Sequence, residues 1–358
     1  MRIRSIHLDD VGPFHGPHRF SFQDEWRAET HRLILFSGPN GTGKSTALRS
    51  VAHLWHMAGG WLATPDIMPK GKSEARSWLR ANAGAVAAIV DGVPGIAGSV
   101  GIYFGDERLF SDVRAGAAVW MGEISAGKNG HRAPSLLHND NWEWMQRWSQ
   151  AYKILALSEG SPNGNGFVTP NLIHLDGEER RWVKPGAVPG RPIPDDPGAR
   201  WLVSYRPRED WRGQLEASLV TLKTLDEERY EGVLEDLNSF LVGKAIRSRP
   251  TPELRLRVDV WGKNEPHNHS LDELSSGERQ VLIQLYLVSR WLQPGGVVFL
   301  DEPDLHLHPS LINQFLARVD AVVAERQGQL FLTSHLPLVW DYCEARGQRI
   351  DLGDGVDG

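Results

Sequence analysis

Gly38-Pro39-Asn40-Gly41-Thr42-Gly43-Lys44-Ser45 is the stretch whose residue types and spacing point most directly to chemistry. It satisfies the phosphate-loop pattern G-x-x-x-x-G-K-[ST]. Its glycines let the backbone fold tightly, so that N–H groups and a helix N-terminus converge on one anion. Lys44 then reaches the terminal phosphates of a nucleoside triphosphate such as ATP, and the Ser45 hydroxyl ligates Mg²⁺, with Thr46 continuing into the helix. That chemistry needs a strand before the loop and a helix after it. Leu33-Ile34-Leu35-Phe36 suits a buried strand, and Leu48, Val51, Ala52 and Trp55 fall on one face of a helix. The alternative, a glycine-rich turn that merely starts a helix, does not call for all eight positions and both flanks.

A second group of polar residues lies toward the other end of the chain. Leu274-Ser275-Ser276-Gly277-Glu278 precedes a helical run, Val281–Trp291. Ser-Ser-Gly at a helix start is a good cap and an anion cradle. Standing alone, it is equally well a capped helix with no ligand. The apolar run Val297-Val298-Phe299-Leu300 then ends in Asp301-Glu302. A buried strand of this kind delivers two carboxylates to its C-terminal end, where ligands sit in an open α/β sheet. Asp301 is placed to hold Mg²⁺ through water, and Glu302 to polarise an attacking water. A further strand, Gln329–His335, ends in Thr333-Ser334-His335. His306 and His308 flank a turn, but two histidines alone make a poor metal site.

Other elements must position these groups. Residues 2–8 alternate as a strand and lead into the turn Val11-Gly12-Pro13-Phe14, with an extended piece at 18–22. Three strand-like runs, Ala85–Val90, Ser99–Phe104 and Ala117–Ile124, suggest an antiparallel layer. His138–Tyr152 is expected as a helix, with Trp144, Trp148 and Tyr152 forming an aromatic stripe that belongs in a core. Loops are expected at 158–170 and 184–198, with a strand at Asn171–Leu175 between them. Residues 209–241 keep helical spacing, and Glu253–Val260 reads as a strand.

Composition narrows the class. With 41% apolar and 23% charged residues, the 358-residue chain is expected to be a soluble globular protein. A net charge of −6 argues against a generally basic nucleic-acid coat, while leaving room for local basic patches. The single cysteine, Cys343, rules out an internal disulfide and fits a reducing cytoplasm. Neither a signal peptide nor a run of about 18 apolar residues is present, so no membrane association is expected. The fourteen tryptophans are expected chiefly in core packing.

The order of these motifs resembles the ABC-type ATPase superfamily, with Walker A at 38–45, the signature at 274–280, Walker B at 297–302 and a switch histidine at His335. Glu302-Pro303-Asp304-Leu305-His306-Leu307-His308-Pro309 looks like the branch containing RecF-like and OLD (overcoming lysogenization defect) ATPases, including ATPases of bacterial anti-phage systems. Ile3–Phe14 is similar to the N-termini of that branch and of SMC proteins. By motif, the resemblance covers about 2–50 and 271–340.

The implied fold is α/β: an ABC-type P-loop NTPase domain, a mixed sheet with an antiparallel β layer, formed by 1–130 and 265–358. Residues 131–264 are expected as an inserted, largely helical subdomain. The resemblance also implies a head-to-tail homodimer, in which Ser275, Ser276, Gly277 and Glu278 of one copy close the P-loop site of the other. His335 is expected to sense the γ-phosphate, and Lys44 and Glu302 to serve catalysis. Two departures stand out. The Q-loop glutamine has no clear counterpart, the strand end Asp176–Glu179 being one candidate, and His308 falls near the place of the acidic D-loop residue.

Two classes of function remain open. One is an ATPase whose turnover works on DNA directly, as RecF-like repair ATPases do, or gates a separate DNA-acting or anti-phage effector such as a nuclease. The other is an ATP-gated scaffold or sensor with slow turnover. DNA contact is suggested by basic clusters at Lys70, Lys72, Arg76 and Arg80, at Arg180, Arg181 and Lys184, and at Lys244, Arg247, Arg249, Arg255 and Arg257. The acidic tail Asp351–Asp357 lacks a full calcium-loop pattern and is expected to fray.

Overall fold

The computed structural model describes residues 1–353 except 25, 28, 66–72, 126–134, 138–142, 158–168, 185–199, 206–214 and 262–266. Two six-stranded sheets enclose the helix that follows the phosphate loop. The first sheet has the order β2-β1-β4-β5-β6-β7, built from β1 (Arg2–Val11), β2 (Phe14–Ser21), β4 (Ala85–Asp91), β5 (Val100–Gly105), β6 (Val119–Ile124) and β7 (Ser135–Leu137). The second is parallel throughout and has the order β15-β3-β14-β13-β8-β9. It comprises β3 (Leu33–Ser37), β8 (Leu172–Leu175), β9 (Leu202–Ser204), β13 (Val297–Asp301), β14 (Gln329–Ser334) and β15 (Gln348–Asp351).

Alternation along these strands determines which side chains meet which layer. On β13, Val297 and Phe299 join the core around helix α1 (Lys44–Ala63), while Val298 and Leu300 join the core on the opposite face. Ile34 and Phe36 of β3 and Phe331 of β14 likewise face α1, and Leu33, Leu35, Leu330 and Leu332 face away. A parallel sheet covered on both faces requires such continuously apolar strands. Because α1 lies between two sheets, it is buried on most sides.

On the far face pack α5 (Leu215–Leu225), α6 (Glu227–Asn238), α7 (Ser276–Trp291), α8 (Pro309–Glu325) and α9 (Pro337–Glu344). A small antiparallel sheet, β10 (Lys244–Ile246), β11 (Arg257–Val260) and β12 (His267–Ser270), leads into α7.

Several expectations are corrected. The layer of strands is not wholly antiparallel: β5 and β6 run parallel, because helix α3 (Glu107–Val113) carries the chain back between them. The Asp106 side chain caps that helix by accepting from the N–H groups of Arg108 and Leu109. The segment 131–264 is not one helical unit. Its strands β8 and β9 belong to the phosphate-loop sheet, and α5 and α6 share a core with α7 and α8. The strand expected from Glu253 begins only at Arg257, since Leu254 takes a left-handed φ of 57° in a turn back onto Thr251.

The aromatic helix α4 spans Glu143–Leu157, and residues 138–142 lie outside the described residues. Its Trp148 is core, as expected. It packs edge-on against Trp55 and Trp201, whose rings stack at 4.2 Å while each indole N–H donates to the other's carbonyl. Neither indole therefore buries an unpaired donor. At the other end, Asp351 pairs with Ser37 on β3 and the buried Leu352 donates its N–H to the Ser37 carbonyl, so the start of the expected frayed tail is paired, while 354–357 lie outside the described residues. Among the described residues no helix is long and apolar enough to cross a membrane.

Candidate nucleotide-binding site

Strand parity assembles the first group of site residues. Asp301 has the same parity as Val297 and Phe299, and Thr333 opposite it the same parity as Phe331, so both side chains emerge toward α1. There the Ser45 hydroxyl donates to Asp301 Oδ1 at 2.7 Å, and the Thr333 hydroxyl donates to the same oxygen at 2.5 Å. The N–H of Gly177, just beyond β8, approaches Oδ2 at 3.4 Å.

Lys44 is only 4% exposed. Its ammonium folds back over the loop and donates to the carbonyls of Gly38 and Pro39 at 2.8 and 2.7 Å. Burial lowers its pKa, against the pull of Glu302, Asp301 and Asp351. Gly43, at φ 98°, caps α1, and a Cβ there would lie 2.6 Å from the Phe14 ring. Conformation and space therefore both demand glycine, and the Val11–Phe14 turn forms a wall of the loop. Thr42 closes the loop by donating to Pro39 at 3.0 Å, while Asn40 and Gly41 are exposed.

Glu302 stands one residue past β13, with φ 46°, and its N–H donates to Thr333 Oγ1 at 2.9 Å. Its Oε1 lies 3.8 Å from Nδ1 of His335, the first residue past β14. The two adjoining strands thus bring the expected base and the expected sensor side by side.

The Ser275–Glu278 group is elsewhere. Ser275 caps α7 in a reciprocal box with Glu278, the hydroxyl accepting at 3.3 Å and the Ser275 N–H donating at 2.8 Å. Glu278 also holds Lys244 at 2.9 Å. Ser275 and Ser276 are exposed, and among the described residues no hydrogen bond or ion pair joins Ser275–Glu278 to Gly38–Thr46. Gly277 lies so close to the segment after Glu302 that a Cβ would sit 3.0 Å from the His306 carbonyl oxygen.

These residues fit a magnesium-bound polyphosphate. Lys44 is held by neutral carbonyls that an anion can replace, and Ser45 and Asp301 form a hydroxyl–carboxylate pair suited to a hard cation. The His308 side chain caps α8 by accepting from the Ser310 N–H, and no group of three or more metal-ligating side chains occurs among the described residues.

Some participants were invisible to motif reading. Arg49 of α1, which no motif marks, donates at 2.6 and 3.1 Å to Asp176, the first residue of the Q-loop candidate. Gly353 packs against Pro39, where a Cβ would lie 2.9 Å from the proline ring. Thr333 has a signal in hindsight, a hydroxyl at the end of an apolar strand and in register with Asp301.

The basic clusters are largely committed within the chain. Arg76 and Arg80 pair with the fully buried Glu123 at 2.8 and 3.3 Å, and Arg247 pairs with Asp259 at 2.6 Å. Arg255 precedes β11 and pairs with Glu216 at 2.9 Å. Arg180 is 2% exposed and so offers no surface charge. Lys70 and Lys72 lie outside the described residues.

The comparisons agree with this architecture. Residues 1–58 match a family model described as an AAA domain, and residues 192–341 match one described as "AAA domain, putative AbiEii toxin, Type IV TA system". No curated protein sequence matches the chain. Among solved structures, an Smc head bound to the C-winged helix domain of ScpA is similar at 13% identity and a TM-score of 0.50, over 96% of this chain and 92% of that one. An Smc head domain with an extended coiled coil, bound to the C-terminal domain of ScpA derived from Pyrococcus furiosus, aligns at 13% identity and a TM-score of 0.46, over 95% and 91%. With its phosphate-loop helix enclosed by two sheets and its Asp-Glu strand beside the loop strand's neighbour, the chain has the fold of an SMC-head-like P-loop ATPase.

Proposed function

We propose that this chain binds ATP with Mg²⁺ and hydrolyses it in a head-to-tail dimer. The observation that carries the reading is the convergence of Lys44, Ser45, Asp301, Glu302 and His335 at the C-terminal ends of β3, β13 and β14, with Ser275 and Ser276 exposed at the start of α7 and, among the described residues, not bonded to their own loop. Ser45 and Asp301 would hold Mg²⁺, which when bound neutralises phosphate charge and polarises the phosphate oxygens. The amides of Gly38–Thr46 and the start of α1 would bind the phosphates. Glu302 accepts a proton from the attacking water, and His335 donates toward the γ-phosphate. Ser275, with the Gly277 amide at the head of α7, completes the site of the second copy.

What the turnover controls is read as a separate effector in a DNA-related or anti-phage role. The match to a family described by a putative toxin of a type IV toxin–antitoxin system supports an effector-linked role. Internal pairing of Arg76, Arg80, Arg247 and Arg255 favours gating over direct DNA contact. If DNA raises ATP turnover severalfold, the RecF-like reading replaces this one. Very slow turnover with a stable ATP-bound dimer would instead favour the scaffold reading.

Ser275→Arg tests the trans geometry. This variant should bind ATP within about threefold of wild type, since its own loop is untouched, yet fail to dimerise and lose about 10²-fold or more in hydrolysis. Mixed with Lys44→Ala, it should regain part of the activity, because a mixed dimer has one site with both defects and one with neither. Wild-type hydrolysis by Ser275→Arg sedimenting as a monomer with nucleotide bound would exclude the mechanism.

A further inference from the structure

Glu302 adopts a left-handed backbone conformation that L side chains rarely take, so something must hold it there. Both peptide planes flanking its Cα are pinned. In the plane before it, the N–H of Glu302 donates to Thr333 Oγ1 at 2.9 Å, and the Asp301 carbonyl accepts from Arg180 Nη1 at 2.6 Å. In the plane after it, the Glu302 carbonyl accepts from Arg180 Nη2 at 2.7 Å. Fixing two successive planes fixes φ and ψ between them, and with those angles the direction in which the side chain leaves the backbone.

Arg180 is also tied to α7. Its Nη1 reaches Gln284 Oε1 at 3.3 Å, and its carbonyl accepts from Gln280 Nε2. Each of these acceptors on the guanidinium is an uncharged oxygen, a costly use for a buried charge unless the geometry itself matters. The rigid planar fork of the guanidinium sets two donors at a fixed separation and direction on the two adjacent carbonyls, which a single-centre ammonium does not.

We propose that Arg180 is the positioning residue for the Glu302 carboxylate, a two-pronged clamp that transmits the placement of the signature helix α7 to the catalytic base. The proposal rests on Glu302 being that base. No motif marks Arg180, which lies in a turn after β8 and reaches the site only through the fold.

The test uses Arg180→Met and Arg180→Lys, each alone and combined with Glu302→Gln. Three readouts are taken: affinity for a non-hydrolysable ATP analogue, kcat, and amide hydrogen exchange in the nucleotide-free protein. Arg180→Met should keep analogue affinity within about threefold while kcat falls by about 10²-fold or more. In the Glu302→Gln background the same change should alter residual turnover by less than about threefold, because residues acting through one group are non-additive. Exchange should accelerate at 301–308 and stay unchanged at 38–46. Arg180→Lys, which keeps the charge but not the fork, should fall between, and it carries the comparison should Arg180→Met fail to fold. Equal losses of kcat in both backgrounds, parallel loss of affinity, or unchanged exchange at 301–308 would each overturn the clamp. Wild-type turnover by Glu302→Gln alone would sink the base assignment instead, and exchange at 301–308 would then decide for or against the clamp.

Discussion

Lys44→Ala should lower ATP affinity by about 10²-fold or more. Lys44 is 4% exposed and its ammonium is hydrogen-bonded to the Gly38 and Pro39 carbonyls, so it already sits inside the loop and has only to exchange neutral acceptors for phosphate oxygens. Hydrogen bonds to charged groups contribute about 1.5–3 kcal/mol each. Losing two removes roughly 3–6 kcal/mol, and each 1.4 kcal/mol is about tenfold in affinity. Lys44→Met separates charge from packing, because it keeps the buried stem and should lose affinity to the same degree. Titration with a fluorescent ATP analogue measures both. Near-normal affinity in either variant removes the phosphate-loop assignment.

Glu302→Gln should bind ATP as wild type does and lose about 10²–10⁴-fold in turnover, the usual contribution of a positioned base. The amide is almost isosteric and keeps the left-handed backbone, whose pins at Thr333 and Arg180 are main-chain contacts. What it lacks is the ability to take the water's proton. The ATP-bound dimer should therefore accumulate, visible as a faster-sedimenting species that persists with ATP as well as with a non-hydrolysable analogue. Wild-type turnover would show that another group is the base.

The parts of this site legible in the sequence are those written in contiguous residues. The loop from Gly38 to Ser45, the apolar strands at 33–36 and 297–300, and the capped start of α7 carry their own local signals. Period-two alternation keeps Asp301 in phase with Val297 and Phe299, but which face meets α1, and that Thr333 lies opposite Asp301, are set by the packing and by the β13–β14 register. The direction of β6 is not legible, since three strand-like runs in succession suggest an antiparallel layer, whereas Asp106 caps a seven-residue helix that carries the chain back between β5 and β6. Pairings across long separations leave no local trace. Arg49 with Asp176, Arg180 with the Asp301 and Glu302 carbonyls, and Gly353 against Pro39 all depend on which strands become neighbours. The basic clusters misled for the same reason: Arg76 and Arg80 look like a solvated face until β6 brings Glu123 beneath them.

The measurement bearing most directly on the whole account is sedimentation of the protein with Mg²⁺ and a saturating non-hydrolysable ATP analogue, with analogue binding verified in the same sample. A site completed by Ser275–Glu278 of a second copy predicts a monomer without nucleotide and a dimer with it. A chain that stays monomeric while its loop is saturated contradicts the account.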